Sequence, residues 1–288
     1  MLSVLIPTYN YNAFSLVKEI HEQLSKTTIA FEIICFDDAS KSSLNLENDA
    51  INTLTFASFK TLENNLGRSA IRNLLAKTAK YNWLLFLDAD VAPVTNHFIE
   101  KYIACLQEKG TVFCGGTKYK EDHFNKNLLR YKYGKKHEQI AIDVRKKQGD
   151  KYFFTSNFLI EKAVFTSVLF NEDLVNYGYE DLFFAKELQE RKIKINHLEN
   201  EIYHLGIDDN MVFVEKTILA IENLTSLLKN KQLDFKDTNI TTVYLKIKKL
   251  KLTFLLNFQL KKMVINTSSL FLFNLFRLSI LHQTFKNS

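Results

Sequence analysis

The sequence predicts an α/β protein with an open, mostly parallel central sheet flanked by helices and a helical extension at the C-terminal end. Three observations carry that reading. Up to Cys114, short apolar runs alternate with segments of helical period, the rhythm of a parallel sheet. Trp83–Leu87 is apolar throughout, as a strand covered on both faces is. The predicted strands ending near Ile6, Phe36 and Leu87 each run straight into a polar cluster, at 7–10, 37–40 and 88–90. Parallel sheets bind ligands at the carboxyl ends of their strands, so these clusters should share one edge.

In order, Val4–Ile6 forms a short buried strand that stops at Pro7. Residues 12–26 have helical spacing, with Phe14, Val17, Ile20 and Leu24 on one face and Asn12 as N-cap. Phe31–Phe36 is the second strand and Leu54–Phe59 the third. Arg68–Ala79 is a helix, Trp83–Leu87 a strand, Asn96–Glu108 a helix and Thr111–Cys114 a strand. Lys118–Lys151 mixes polar and aromatic residues without a period and reads as a mobile excursion. Tyr152–Phe154 resumes as a strand, followed by helices over 161–168 and 180–191 and short strands over 193–196 and 201–204. Beyond Gly206 the composition changes. Residues 208–230 are helical, 240–262 form a basic amphipathic helix, and 268–281 form an apolar helix. The expected domains are therefore 1–206, catalytic, and 207–288, a helical extension.

Composition removes several classes. With 46% hydrophobic and 24% charged residues in 288, the chain has a core to bury and is not disordered. Its 8 Gly and 2 Pro exclude collagen-like and low-complexity architectures. Cys35, Cys105 and Cys114 lack paired spacing, which argues against a disulfide framework or thiolate zinc site and fits the cytoplasm. No run of about 18 apolar residues marks a membrane span, and Met1-Leu2-Ser3 has no basic leader region.

Charge is unevenly placed. Eight of the 38 Lys and Arg residues, and none of the 32 Asp and Glu, lie from Ile240 onward. The net charge of +6 thus belongs to the tail, where Val243, Ile247, Leu250, Phe254 and Phe258 form an apolar stripe among lysines. That pattern predicts peripheral contact of residues 240–288 with the inner face of the cytoplasmic membrane. Packing of the tail on the protein is the competing reading. Lys outnumbers Arg and apolar side chains fill the gaps, so nucleic acid is not an expected partner.

Five segments could carry chemistry. In Asp88-Ala89-Asp90, two carboxylates after a buried strand can share a divalent cation; a solvated turn is the bland alternative. Asp37-Asp38 suits either an Asx-turn or an acceptor for a nucleobase N–H. In Asn65–Asn73, Gly67 lets backbone N–H groups approach an anion, and Arg68 and Arg72 lie one turn apart. Tyr179-Glu180-Asp181 opens a helix with two acids, which serve as capping charges or as a general base. His204 follows a short strand and is a core histidine or a metal ligand.

Taken in order, Val4–Asn10, Asp37–Ser40, Asn65–Asn73, Asp88–Asp90 and Gly178–Asp181 resemble the inverting nucleotide-sugar transferases of glycosyltransferase family 2, with the GT-A fold. The Gly-x-Glu-Asp helix start and the following His look like the chondroitin-polymerase and galactosyltransferase-like branch. The resemblance spans about residues 1–206. It implies that Pro7, Thr8 and Tyr9 line a nucleobase pocket and that Asp38 accepts from a uracil N–H. Arg68 and Arg72, with Gly67, would meet the uridine and diphosphate, and Asp88 the ribose or donor sugar. Asp90 and His204 would hold Mn²⁺ or Mg²⁺. Asp181 would be the base, Glu180 its neighbour at the acceptor or donor sugar, and Asn157 and Tyr179 would flank the acceptor. The implied donor is a UDP-sugar and the implied acceptor a saccharide or lipid-linked saccharide of surface polysaccharide synthesis. Two alternatives stay open: a nucleotidyltransferase, although no Gly-rich Lys-bearing loop is present, and a catalytically silent nucleotide-sugar-binding module, although Asp90 and Asp181 are intact.

Overall fold

The structure, a computed structural model, describes residues 1–174, 176–256 and 260–286. The elements run β1 (Leu2–Thr8), α1 (Phe14–Leu24), β2 (Phe31–Asp37), α2 (Asn45–Asn48), β3 (Ala57–Thr61), α3 (Arg68–Thr78), β4 (Trp83–Leu87), β5 (Val91–Pro93), α4 (Phe98–Ile103), β6 (Thr111–Cys114) and β7 (Thr117–Lys118). They continue with α5 (Leu129–His137), α6 (Ile142–Gln148), β8 (Asn157–Glu161), α7 (Lys162–Val168), α8 (Glu180–Glu190), β9 (Lys194–His197), β10 (Ile202–His204) and α9 (Asn210–Lys229). Then follow α10 (Asn239–Lys249), α11 (Lys261–Thr267) and α12 (Leu270–Lys286). Contacts divide the chain into two units. One comprises Met1–Lys120, His137–Val175 and Glu180–Gly206; the other Glu121–Lys136, Asn176–Tyr179 and Ile207–Ser288.

The first unit is built on a seven-stranded sheet in the order β3-β2-β1-β4-β8-β6-β9. Only β8 runs antiparallel to its neighbours, so the mostly parallel α/β expectation holds. Successive side chains of a strand point to opposite faces, and both faces are covered here. Val4, Ile6, Leu85 and Leu87 pack with Leu16, Val17 and Ile20 of α1. Leu5, Leu84 and Phe86 pack with Ile71 and Leu75 of α3 and with Phe165 and Phe184. This two-sided burial is why the Trp83–Leu87 run is apolar throughout. Each such side chain is worth about 1.5–3 kcal/mol relative to exposure. A second, three-stranded sheet, β5-β10-β7, joins segments distant in sequence.

Several expectations change. Asn12 does not cap α1; Ala13 holds that position, while Asn12 Oδ1 accepts from the Phe14 N–H at 2.9 Å. The 118–151 excursion contains α5 and α6, whose polar surfaces hide any apolar period. Tyr152–Phe154 is not a strand: a 3-10 turn ends at Tyr152, and the strand is Asn157–Glu161. Phe153 is buried nonetheless, packed edge-on against Phe158.

In the second unit, Leu129, Val214, Val264, Phe273 and Phe276 form a buried cluster. The apolar α12 is therefore core, packed against α9. The long helix expected over 240–262 is broken. α10 stops at Lys249, a 3-10 turn covers Thr253–Leu256, and α11 starts at Lys261. Phe258 of the expected stripe lies outside the described residues. Among those residues no helix is long and apolar enough to cross a membrane.

Candidate active site

The adjacent strands β2, β1 and β4 run in parallel, with Thr8 beside Asp37 in register, and Asn157 of antiparallel β8 lies opposite Leu87. The clusters at 7–10, 37–40 and 88–90 thus leave one edge of the sheet together. Asn10 and Ala39 turn the chain there with φ of 52° and 58°, a region non-glycine residues seldom enter. Pro7 is half-buried and Tyr9 exposed. Thr8 is buried, and its hydroxyl donates to the Tyr11 carbonyl at 3.1 Å.

Asp38 is engaged by the chain itself. Its carboxylate accepts the Leu66 and Gly67 N–H groups at 2.7 and 2.9 Å, and its carbonyl accepts from Asn65 Nδ2 at 2.9 Å. The anion met by the Gly67 backbone, at φ 84°, is therefore this carboxylate. Two backbone donors in a buried site hold a carboxylate firmly. Asp37, fully buried, accepts from the Ser40 N–H and from Asn45, while its Oδ1 has no hydrogen-bond partner.

Arg68 and Arg72 open α3 on one face, as their spacing requires. Arg68 reaches Glu180 Oε1 at 3.2 Å. Arg72 is buried; it donates to the Arg68 carbonyl at 3.0 Å and to Asp88 Oδ1 at 2.5 Å. Phe170 lies beneath its guanidinium, 5.8 Å from the ring centre.

Asp90 and His204 meet because β10 pairs antiparallel with β5, setting His204 beside Val91. His204 Nδ1 is 3.5 Å from Asp90 Oδ2 and, though buried, makes no hydrogen bond. The Leu205 N–H donates to the Asp90 carbonyl at 2.8 Å. A Cβ on Gly206 would sit 2.0 Å from Asp90 Oδ2, so only glycine leaves that carboxylate in place. Among the described residues no group of three or more His, Cys, Asp or Glu could hold a metal alone. A carboxylate oxygen and an unpartnered imidazole nitrogen do fit a divalent cation that takes its remaining ligands from phosphate and water. Tyr11, which sequence reasoning passed over, stands near this pair; burial and the Asp90 charge push its phenol up.

Asp181 faces Thr155, whose hydroxyl donates to Oδ1 at 2.9 Å and whose N–H donates to Oδ2 at 3.4 Å. Burial and the adjacent Glu180 push its carboxyl up to about 7, against the lowering influence of Arg72 and Thr155. The residue as a whole is half-buried. A carboxyl of this kind can exchange a proton near neutral pH.

Asn157 does not present free polar atoms to this edge. Its Oδ1 accepts from the Tyr102 hydroxyl at 2.6 Å, and its Nδ2 donates to the Gly116 and Asn200 carbonyls at 3.1 and 2.9 Å. It belongs to a buried polar network that no sequence signal marks. In that network Arg145 donates to the Ile140, Cys114 and Leu198 carbonyls and pairs with Glu201 at 3.4 Å. Tyr179 belongs to the second unit, where burial pushes its phenol up to about 12. It and Gly178 take φ of 76° and 92°, and Asn223 donates to the carbonyls of Asn176, Tyr177 and Gly178.

Comparison with known proteins agrees with this architecture. An uncharacterized glycosyltransferase of Haemophilus influenzae is 38% identical over 91 residues, 31% of this chain and 29% of that protein. The chondroitin synthase of Pasteurella multocida is 29% identical over 124 residues, 42% of this chain and 13% of that protein. The chain thus matches under a third of the length of either relative. A crystal structure of GalNAc-T7 with UDP, GalNAc and Mn²⁺ superposes with a TM-score of 0.55 at 14% identity, over 80% of this chain and 47% of that one. That likeness is one of fold, the expected GT-A class. The model of glycosyl transferase family 2 matches residues 3–169, more than half of the chain, and with the sheet-edge site in place this protein belongs to that family.

Proposed function

We propose that this chain transfers a sugar, with inversion, from a UDP-sugar to a hydroxyl of a saccharide or lipid-linked saccharide in surface polysaccharide or glycolipid synthesis. The observation that carries the reading is Asp181, held by Thr155 with its carboxyl near neutrality in the same unit as Arg72–Asp88 and Asp90–His204. Family membership supports a sugar transfer over the nucleotidyl alternative. UDP in the GalNAc-T7 complex supports a UDP-sugar as the donor.

In a single displacement, the acceptor oxygen bonds to the anomeric carbon as the bond from that carbon to the diphosphate oxygen breaks. The acceptor proton passes to the Asp181 carboxylate, and the diphosphate leaves with the electron pair. Glu180, fastened by Arg68, orients the sugar hydroxyls beside that base. Arg72 meets charge building on the diphosphate, exchanging part of its hold on Asp88. Asp88 then faces the ribose or donor sugar, and Pro7 and Tyr9 border the base. Asp90 and His204 would hold Mn²⁺ or Mg²⁺, which neutralises the leaving group when bound.

The test is a panel of UDP-, GDP-, CMP- and dTDP-sugars, assayed for hydrolysis and transfer with Mn²⁺ and with a chelator. Turnover of a UDP-sugar that chelation abolishes is expected. Asp181→Asn should lower transfer by about 10³-fold or more while leaving UDP affinity within a few fold. Wild-type turnover in that variant, or metal-independent donor binding, defeats the respective assignment.

A further inference from the structure

The C-terminal tail divides into two kinds of apolar surface. α12 is spent on the core, with Phe273, Phe276 and Leu281 buried. The corner between α10 and the following 3-10 turn is not. Within six residues, Leu250, Leu252, Phe254 and Leu255 all stand exposed; Leu250 and Phe254 are 67% and 65% accessible. Val243 extends the patch along α10, since positions 243, 246 and 250 share a helix face.

These side chains are not a core face awaiting its own fold. The inward positions of the same segment, Thr241, Tyr244 and Leu256, are already buried. The backbone fixes the outward set. The Lys251 N–H donates to the Lys248 carbonyl and the Leu252 N–H to the Ile247 carbonyl, with Lys251 at φ 58°. That closure ends α10 and turns the chain sharply, leaving a projecting corner.

Lysines ring the corner. Lys246, Lys248, Lys249 and Lys251 are exposed, and among the described residues none of them forms an ion pair with an acid. No Asp or Glu occurs from Ile240 to the end of the chain. Exposed apolar side chains interleaved with exposed lysines match the two layers of an anionic bilayer surface. Leucine and phenylalanine enter the acyl boundary, while lysines on long stems stay at phosphate depth.

We infer that residues 243–255 form an interfacial membrane-binding surface for anionic phospholipid. The inference goes beyond glycosyl transfer and does not rest on it. A second copy of this chain fits poorly: a two-fold contact through this patch brings lysines against lysines. Nucleic acid or free phosphate would explain the lysines but leave the four exposed apolar side chains without a role.

The full chain is mixed with vesicles of phosphatidylcholine containing about 30% phosphatidylglycerol, and with pure phosphatidylcholine. Binding to the anionic vesicles alone, weakened by salt, is expected. Each Lys→Gln change at 246, 248, 249 or 251 should weaken it about fivefold. Leu250→Asp with Phe254→Asp should weaken it tenfold or more, with an unchanged melting curve because both sites are exposed. In an otherwise native chain, the fluorescence of a Phe254→Trp variant should blue-shift on anionic vesicles and be quenched by brominated lipid. The inference is overturned by absence of vesicle binding, or by binding that survives loss of Leu250 and Phe254. It is equally overturned if inorganic phosphate at matched ionic strength displaces the protein, if the patch variants abolish self-association instead, or if the introduced indole shows no shift.

Discussion

A carboxyl held near neutrality helps catalysis only if it is also aimed, and Thr155 aims Asp181 with two hydrogen bonds. The same environment has a measurable effect on stability. The Asp181 carboxyl is raised from 3.8 to about 7 in the folded chain, so the native state holds this proton more tightly than the unfolded one. Its contribution is fully present below about pH 4 and lost as pH rises through about 7. Asp181→Asn should therefore melt higher relative to wild type at pH 8 than at pH 5, as calorimetry at both values would reveal. In the wild-type enzyme kcat/KM should rise with pH and level off above about 7; a flat profile would rule out titration of this group in catalysis. Single residues were unevenly legible. Strand-end position singles out Asp88 and Asp90, and the paired acids at a helix start single out Asp181. The engagement of Asp38 by Leu66 and Gly67, and of Asn157 by Tyr102, depends on contacts between segments far apart in sequence. No local spacing encodes those partners.

At the scale of elements, the least legible features are the helix ends. α8, α9 and α10 all close by the same pair of bonds. The N–H groups of Lys192, Lys231 and Lys251 donate to the Gln189, Leu228 and Lys248 carbonyls. Those of Ile193, Gln232 and Leu252 donate to the Leu188, Leu227 and Ile247 carbonyls. The left-handed residue is lysine each time, at φ of 58°, 57° and 58°. Glycine is the usual occupant and the usual stop signal. With 8 glycines in the chain the signal is missing at these ends, so a helix read across Lys251 has nothing in the sequence to break it. Lysine gains something at a helix C-terminus from the dipole, yet its Cβ is strained there. Lys192→Gly and Lys231→Gly should each stabilise the fold by about 0.5–1 kcal/mol. Thermal melts should rise by about 1–4 °C per substitution; a fall would mean that the charge outweighs the strain.

The molecule as a whole was most legible where burial is two-sided. Continuous apolar strands and their polar ends announced a parallel sheet and the edge at which its polar clusters gather. The second unit was less legible because it draws on three stretches of chain, 121–136, 176–179 and 207–288. Leu129 is fully buried by Val214, Val264, Phe273 and Phe276, all of which lie beyond residue 206. A chain cut after Gly206 should accordingly expose Leu129 and its neighbours, bind a hydrophobic dye and aggregate; a monodisperse, dye-silent fragment would contradict this.

The three-stranded sheet also sets an order of events during synthesis. β5, β7 and β10 come from residues near 92, 117 and 203, and only the last of them brings His204 to Asp90. A nascent chain that has cleared the ribosome up to Glu161 already carries six of the seven strands of the main sheet. It still lacks one half of its candidate cation pair. Closing so long a loop is entropically slow, so a prematurely terminated product would hold much of the sheet yet have no competence for metal. Ion loading would then report that synthesis has passed His204, not merely that the main sheet has formed.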